Sequence, residues 1–273
     1  MEIYYYILIF LLGLVLGSFF NVIIFRFRRP AADVAFALSR GDKRDDLNGL
    51  QLRHWGGRSK CINCRSVIRW FDLVPVVSYF FLKGQCRECK SKISPLYPVV
   101  EISTAVILLL LFLNTPAVSY LTALNALIVL LLVLVVFLDI CYFTIPDRIL
   151  ALLAIAAVGL KLLTGNADFP YLLISALGLT AFFAILFLVS KGRWIGLGDI
   201  KLIFLMGFLL GYPMGYVAIV SSVWLAAIFS VILLIQKKAT AKTEIPFGSF
   251  LSVTTIIFII FSNELQKISR YFY

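Results

Sequence analysis

Five cysteines stand in the chain, and four form two short pairs, Cys61-x2-Cys64 and Cys86-x2-Cys89, with twenty-one residues between the pairs. A CxxC turn points two thiolates at one centre, and two such turns supply the sulfurs of a tetrahedral zinc site. Two disulfides are the alternative, which a reducing cytoplasm disfavours. With four thiolates the expected Zn2+ centre, on Cys61, Cys64, Cys86 and Cys89, is closed to water. Its expected role is therefore structural: it holds a loop folded rather than activating a nucleophile.

A second set of residues is marked by cost. Ionised carboxylates at membrane depth are expensive and persist mainly where function or pairing requires them. Glu101, Asp139, Asp147 and Asp199 all lie in or beside long apolar runs. Asp139 follows Leu121–Leu138, and Asp199 precedes another apolar run, so both fall at helix ends on one expected face of the membrane. Two carboxylates brought together do not both ionise comfortably; one keeps a proton while the other acts as base, and the pair can activate water against a peptide carbonyl. The plainer reading is that each acid marks a helix end, with Asp199 beside Lys201 and Asp147 beside Arg148 as solvated ion pairs. For Asp147 that plainer reading is favoured, since Pro146-Asp147 suits the first turn of a helix. Asp199 carries a further signal: Gly196-Leu197-Gly198-Asp199 places glycines where backbone can approach a substrate strand closely.

Other hydrolytic chemistries have little to work with. The single histidine, His54, rules out an HExxH zinc site and leaves one distant candidate for a Ser-His dyad, so it is expected to be a loop residue. Cys141 has no histidine near it in sequence and is expected to be a small apolar filler.

The elements that position these residues follow from composition. The chain has 273 residues, 62% hydrophobic and 14% charged, against about a quarter charged in soluble domains. The apolar residues gather in uncharged blocks of roughly 17 to 23, the length that crosses a hydrocarbon core about 30 Å thick. We place helices at about 3–25, 96–113, 119–139, 147–164, 170–190, 199–212, 214–235 and 246–262. The sixth is interrupted by Gly207, Gly211 and Pro213. The fold class expected is an all-α polytopic membrane protein with about eight transmembrane helices and a cytoplasmic, zinc-type four-cysteine loop domain. Its expected divisions are a first transmembrane helix over 1–25, the loop domain over 26–95 and a transmembrane core over 96–273.

The net charge of +11 is explained by where the positives fall. Fifteen of the twenty-five Lys and Arg lie between Arg26 and Lys92, with six acids among them. Placing that loop in the cytoplasm and alternating sides puts twenty-two of the twenty-five on the inside, with Lys161, Lys267 and Arg270 as exceptions. The same count puts the N-terminus outside. Nothing in the loop resembles an aromatic-basic stacking platform, so no nucleic-acid partner is expected; the bilayer is the partner that composition requires. The N-terminal apolar run ends in Arg26, Arg28 and Arg29 rather than a small-residue cleavage site and reads as a retained helix. Residues 31–53 are polar and turn-rich, and no fixed-period repeat stands out.

Several of these segments, in this order, resemble the type IV prepilin peptidases, also called leader peptidase/N-methyltransferases. Gly17-Ser18-Phe19-Phe20-Asn21-Val22 followed by Arg26 is similar to that family's GSFxNVxxxR helix. The paired CxxC loop, with Leu82-Lys83-Gly84-Gln85-Cys86 and Tyr97-Pro98-Val99-Val100-Glu101, resembles its cysteine module. Asp139-x5-Ile145-Pro146-Asp147 is similar to its first aspartate motif, and Gly196-Leu197-Gly198-Asp199-Ile200-Lys201 to its GxGD motif. The resemblance implies an inner-membrane aspartyl protease that cleaves prepilins or pseudopilins after a glycine at the cytoplasmic face. It then implies N-methylation of the new terminus from S-adenosylmethionine. By motif position Asp139 and Asp199 are the catalytic pair, and Asp147 is not assigned catalysis. Many relatives carry a second acid where this chain has Cys141. No glycine-rich S-adenosylmethionine fold is visible, so the methyltransferase half rests on the resemblance alone. The reading from another class is a membrane assembly or transport protein whose zinc loop docks partners and whose acids gate ions. Transport predicts polar residues midway through several helices, whereas here the acids cluster at one face.

Overall fold

The computed structural model describes residues 2–27, 59–61, 63–115, 119–165, 168–237, 243 and 245–262. His54 and the polar stretch 31–53 lie outside the described residues, as do Lys238, Lys242, Lys267 and Arg270. Eight long helices are present among the described residues: α1 (Glu2–Phe27), α2 (Leu96–Asn114), α3 (Tyr120–Tyr142), α4 (Asp147–Leu163), α5 (Phe169–Ser190), α6 (Leu197–Leu210), α7 (Met214–Ile235) and α8 (Phe247–Ile260). No strand longer than an isolated bridge occurs among them. The all-α polytopic class expected from the apolar blocks is the observed one.

Five of the eight, α1, α2, α3, α5 and α7, are long and apolar enough to cross a membrane. The other three are shorter: α4 has 17 residues, and α6 and α8 have 14 each. Fourteen residues rise only about 21 Å at 1.5 Å each, short of a full hydrocarbon core. Their neighbours cover them instead: α6 packs against α4, α5, α7 and α8, and α8 packs against α3, α6 and α7.

The chain forms two compact units, Met1–Leu109 and Leu110–Tyr273. In the first unit, α1 and α2 pair antiparallel along a seam of small residues. A Cβ on Gly13 would lie 2.5 Å from the Cα of Ala105, and one on Gly17 would lie 2.6 Å from the Cα of Glu101. One turn further along, Asn21 donates to the carbonyl of Tyr97 at 3.0 Å. Gly13, Gly17 and Asn21 recur every fourth residue, so one face of α1 lets the two backbones touch, the arrangement by which small residues replace a hydrophobic driving force in lipid. Phe25 stacks on Tyr97 with ring centroids 4.2 Å apart at the end of the seam.

In the second unit α3 is the most enclosed long helix. Ile128, Val129, Leu132, Val135 and Leu138 are almost fully buried, and α3 packs on α4 and α8. The Ser119 hydroxyl caps its start by accepting from the N–H of Thr122. α5 and α6 approach closely where Gly207 faces Ala176; a Cβ there would lie 2.8 Å from the Ala176 Cα.

Candidate active site and metal centre

Asp139 does not end its helix, as the apolar pattern suggested. α3 continues to Tyr142 and closes on Phe143 at a φ of 52°, whose N–H donates to the Asp139 carbonyl at 2.9 Å. The Asp139 side chain therefore stands inside the last turn, 4% exposed. Asp199 likewise lies inside α6, which starts at Leu197 rather than 199. The physical reason is local: as third residue of the helix, Asp199 turns its Oδ2 back to accept from the Gly196 N–H at 3.3 Å, satisfying a donor that the helix start leaves free.

The two aspartates meet at a third element. α8 begins after Pro246, and its Ser249 N–H donates to Asp139 Oδ2 at 2.7 Å. A Cβ placed on Gly248 would stand 3.0 Å from Asp199 Oδ1, 3.1 Å from Asp139 Oδ2 and 2.7 Å from the Ile145 side chain. One carboxylate oxygen from each aspartate thus converges on the bare Cα of Gly248, separated by no more than the sum of those two distances. The first turn of α8 also presents the positive end of its dipole and free N–H groups to this side of Asp139. Residues sixty positions apart in sequence are held together by three helix ends, with Ile145 from the α3–α4 connection as the apolar wall.

Asp147 and Glu101 do different things. Asp147 opens α4 and pairs with Lys201 Nζ at 2.6 Å, both side chains more than half exposed. Asp147 is thus a solvated ion-paired residue, as favoured, but its partner is Lys201 rather than Arg148, and the pair ties α4 to α6. Glu101, 6% exposed, belongs to the first unit, where it accepts from the Asn21 amide at 3.3 Å and from the backbone N–H of Val76 at 2.7 Å.

The four paired cysteines also meet. Their sulfurs all lie within 4.8 Å of one another, with Cys61 and Cys89 at 3.8 Å, and none is in a disulfide. Zn–S bonds of about 2.3 Å in a tetrahedron place sulfurs about 3.8 Å apart, so the cluster has the size the metal requires. The two CxxC turns are built alike. The Cys61 N–H donates to Ser66, Arg65 N–H to Cys61 and Ile68 N–H to Ser59; the Cys86 N–H donates to Ser91, Lys90 N–H to Cys86 and Ile93 N–H to Gly84. Arg65 and Lys90 occupy the same place in each turn, at φ of 57° and 56°. The bridges Lys60↔Val67 and Gln85↔Lys92 close both turns. Behind this symmetry is a short duplication, too brief to read as a fixed-period repeat: Cys-x2-Cys-(Arg/Lys)-Ser-x-Ile occurs twice, twenty-five residues apart.

The surroundings favour the thiolate at Cys89 and Cys61, while the Cys86 thiol is raised. Hydrogen bonding from the Ser91 hydroxyl and backbone holds the Cys89 thiol down to about 5. At Cys61 burial opposes ionisation, yet hydrogen bonding from the Cys64 and Asn63 backbone together with the Cys86 and Ser91 side chains lowers the thiol. Between the second pair, Arg87 makes a bidentate contact to Asp72, 2.6 and 3.0 Å, and its guanidinium lies 5.2 Å from the Phe71 ring centroid. That contact holds the Asp72 carboxyl below the usual carboxylate range and fastens the 70–73 turn to the cysteine centre.

Sequence reasoning missed Gly248 and the Ser249 N–H. Neither carries charge or motif spacing; a glycine inside an apolar run beside Pro246 was the one signal present.

The chain matches two family profiles, the Bacterial Peptidase A24 N-terminal domain over residues 11–115 and the Type IV leader peptidase family over residues 126–235. The cysteine centre falls in the first and both aspartates in the second. Similar proteins include the prepilin leader peptidase/N-methyltransferase of Aeromonas salmonicida, 28% identical over 96% of this chain and 93% of its own length. The same-named protein of Bacillus subtilis is 27% identical over 79% and 86%. The type 4 prepilin-like proteins leader peptide-processing enzyme of Escherichia coli is 30% identical over 88% of each. No solved structure matches the chain significantly. The paired carboxylates, the four-sulfur cluster and these likenesses lead to one assignment: the chain belongs to the type IV leader peptidase family and is an enzyme of its prepilin leader peptidase/N-methyltransferase class.

Proposed function

We propose that the chain is an inner-membrane aspartyl endopeptidase that removes the leader of prepilins or pseudopilins after a glycine at the cytoplasmic face. The observation that carries this reading is the convergence of Asp139 and Asp199 on Gly248. The two carboxylates hold one proton between them. The ionised one takes a proton from a water as its oxygen bonds to the scissile carbonyl carbon, and the protonated one passes its proton to the carbonyl oxygen. The resulting gem-diol collapses as the leaving nitrogen receives a proton, the C–N bond breaks, and a leader ending in a carboxylate separates from a mature chain with a free amine. No enzyme residue becomes covalently attached. Ser249 orients Asp139 through its N–H, Gly196 orients Asp199, and the absent side chain of Gly248 leaves room for water and substrate backbone.

Cys61, Cys64, Cys86 and Cys89 would hold a Zn2+, which would cross-link the loop and supply no chemistry to the cleavage. N-methylation of the new terminus from S-adenosylmethionine is proposed from the family alone. The described residues form no strand–glycine turn–helix for that cofactor, and no step is routed through it. The N-terminus is placed outside and the cysteine loop and both aspartates on the cytoplasmic side, following the distribution of Lys and Arg. Co-expression with a candidate prepilin tests the activity: a shift of the pilin to the mobility of its mature form is expected, and unprocessed pilin in the presence of abundant enzyme would contradict it.

A further inference from the structure

Between the two cysteine turns lies a segment, Trp70–Phe81, whose composition belongs to neither a cytoplasmic loop nor a packed core. It carries seven aromatic or aliphatic side chains that face outward. Trp70, Phe80 and Phe81 are 80%, 67% and 83% exposed, as open as Leu8 (64%) on the apolar helix α1. Its single acid, Asp72, is taken up by Arg87 at 2.6 Å. Soluble surfaces seldom leave so many large apolar groups together.

The segment is also tied down at depth. Val76 holds a φ of 61°, unfavourable for a β-branched residue, and its N–H donates to Glu101 Oε2 at 2.7 Å. Glu101 lies five residues into α2, and its partner Asn21 lies five residues before Arg26, the charge that closes the apolar run of α1. At 1.5 Å per residue each is about 7 Å inside the apolar part of its helix. A carboxylate oxygen within hydrogen-bonding reach of Val76 brings this backbone to the margin of the hydrocarbon layer. There an unsatisfied N–H is costly, and irregular backbone persists only where the protein satisfies it. Around the apolar face the chain from Lys60 to Lys92 has seven basic residues against two acids, among them Arg65, Arg69, Lys83 and Lys90 beside the segment.

Exposed aromatic groups flanked along the chain by basic residues match the boundary of an anionic bilayer leaflet, where rings sit at headgroup depth and Lys and Arg meet lipid phosphates. We infer that Trp70–Phe81 is an interfacial wedge of the loop, seated in the headgroup and upper acyl region of a leaflet containing anionic lipid and anchored by the Glu101–Val76 bond. The cysteine centre is thereby held against the membrane rather than on a free tether. This inference does not depend on the peptidase reading.

The test uses the full chain with Trp55, Trp194 and Trp224 replaced by Phe, reconstituted into phosphatidylcholine vesicles with and without phosphatidylglycerol. Trp70 is expected to lose emission to phosphatidylcholine brominated in its upper acyl chain and to resist quenching by aqueous acrylamide. The bromolipid quenching should weaken when phosphatidylglycerol is left out. Acrylamide quenching without bromolipid quenching would overturn the wedge. Shielding from both would overturn it too, assigning the face to a second copy of the chain. Bromolipid quenching indifferent to phosphatidylglycerol would overturn the requirement for anionic lipid.

Discussion

At the scale of single residues, the proposed chemistry depends on a side chain that is missing. Gly248 faces both carboxylates, and a methyl group there would stand closer to each than ordinary contact allows while also pressing on Ile145 at 2.7 Å. Ile145 is flexible enough at its tip to give way, so Gly248→Ala should fold. Its expected effect is on processing, a loss of about 10²-fold or more, because misplacing reacting groups by an ångström costs on that order. The check is a prepilin processing rate measured beside a thermal melt of the purified variant; a normal rate would show that the space in front of Gly248 is not used. Ser249→Ala should be nearly neutral, since Asp139 is held by the backbone N–H and the hydroxyl bonds the Pro246 carbonyl. Asp147→Asn should also keep most activity. Its ion pair with Lys201 is exposed, worth about 0–1 kcal/mol, and its place at a helix start adds about 0.3–1 kcal/mol. A loss of processing at normal abundance would give Asp147 a role denied to it here.

At the scale of elements, the long apolar runs made the helices legible, while their ends were set by contacts that no run reveals. α6 begins two residues early because Asp199 caps it, and α3 runs three residues past Asp139 because Phe143 closes it through the Asp139 carbonyl. The aspartates themselves were legible because charge in lipid is costly enough to be informative. The turn of α8 was not, since Gly248 and Ser249 act through a bond spanning 110 residues. The cysteine spacing announced the four-sulfur cluster, and the twofold likeness of its turns was present in Cys-x2-Cys-(Arg/Lys)-Ser-x-Ile though unread. Purified protein is expected to contain about one zinc per chain, and Cys61→Ser or Cys89→Ser should release it and open the loop to proteolysis. Metal content unchanged in both variants, by elemental analysis, would remove the zinc reading.

At the scale of the whole molecule, five spans of sufficient length and three shorter helices leave the direction of the chain through the bilayer to be argued from charge. The α5–α6 connection carries Lys191 and Arg193 and lies next to the GxGD turn, so its side of the membrane is also the side of the proposed chemistry. A reporter fused at Gly192 is expected to register cytoplasm; an outside signal would separate the aspartates from the face where the basic loop is placed.

The central claim, that Asp139 and Asp199 work as one proton-sharing pair, is tested most directly by comparing Asp139→Asn, Asp199→Asn and the double variant for prepilin processing in membranes, with the abundance of each protein measured alongside. Asparagine cannot accept the proton from water, and removing either member of a unit costs about as much as removing both. Both single variants are expected to accumulate normally and process nothing detectable, and the double variant to be no worse. Substantial processing by either single variant at normal abundance would contradict the account.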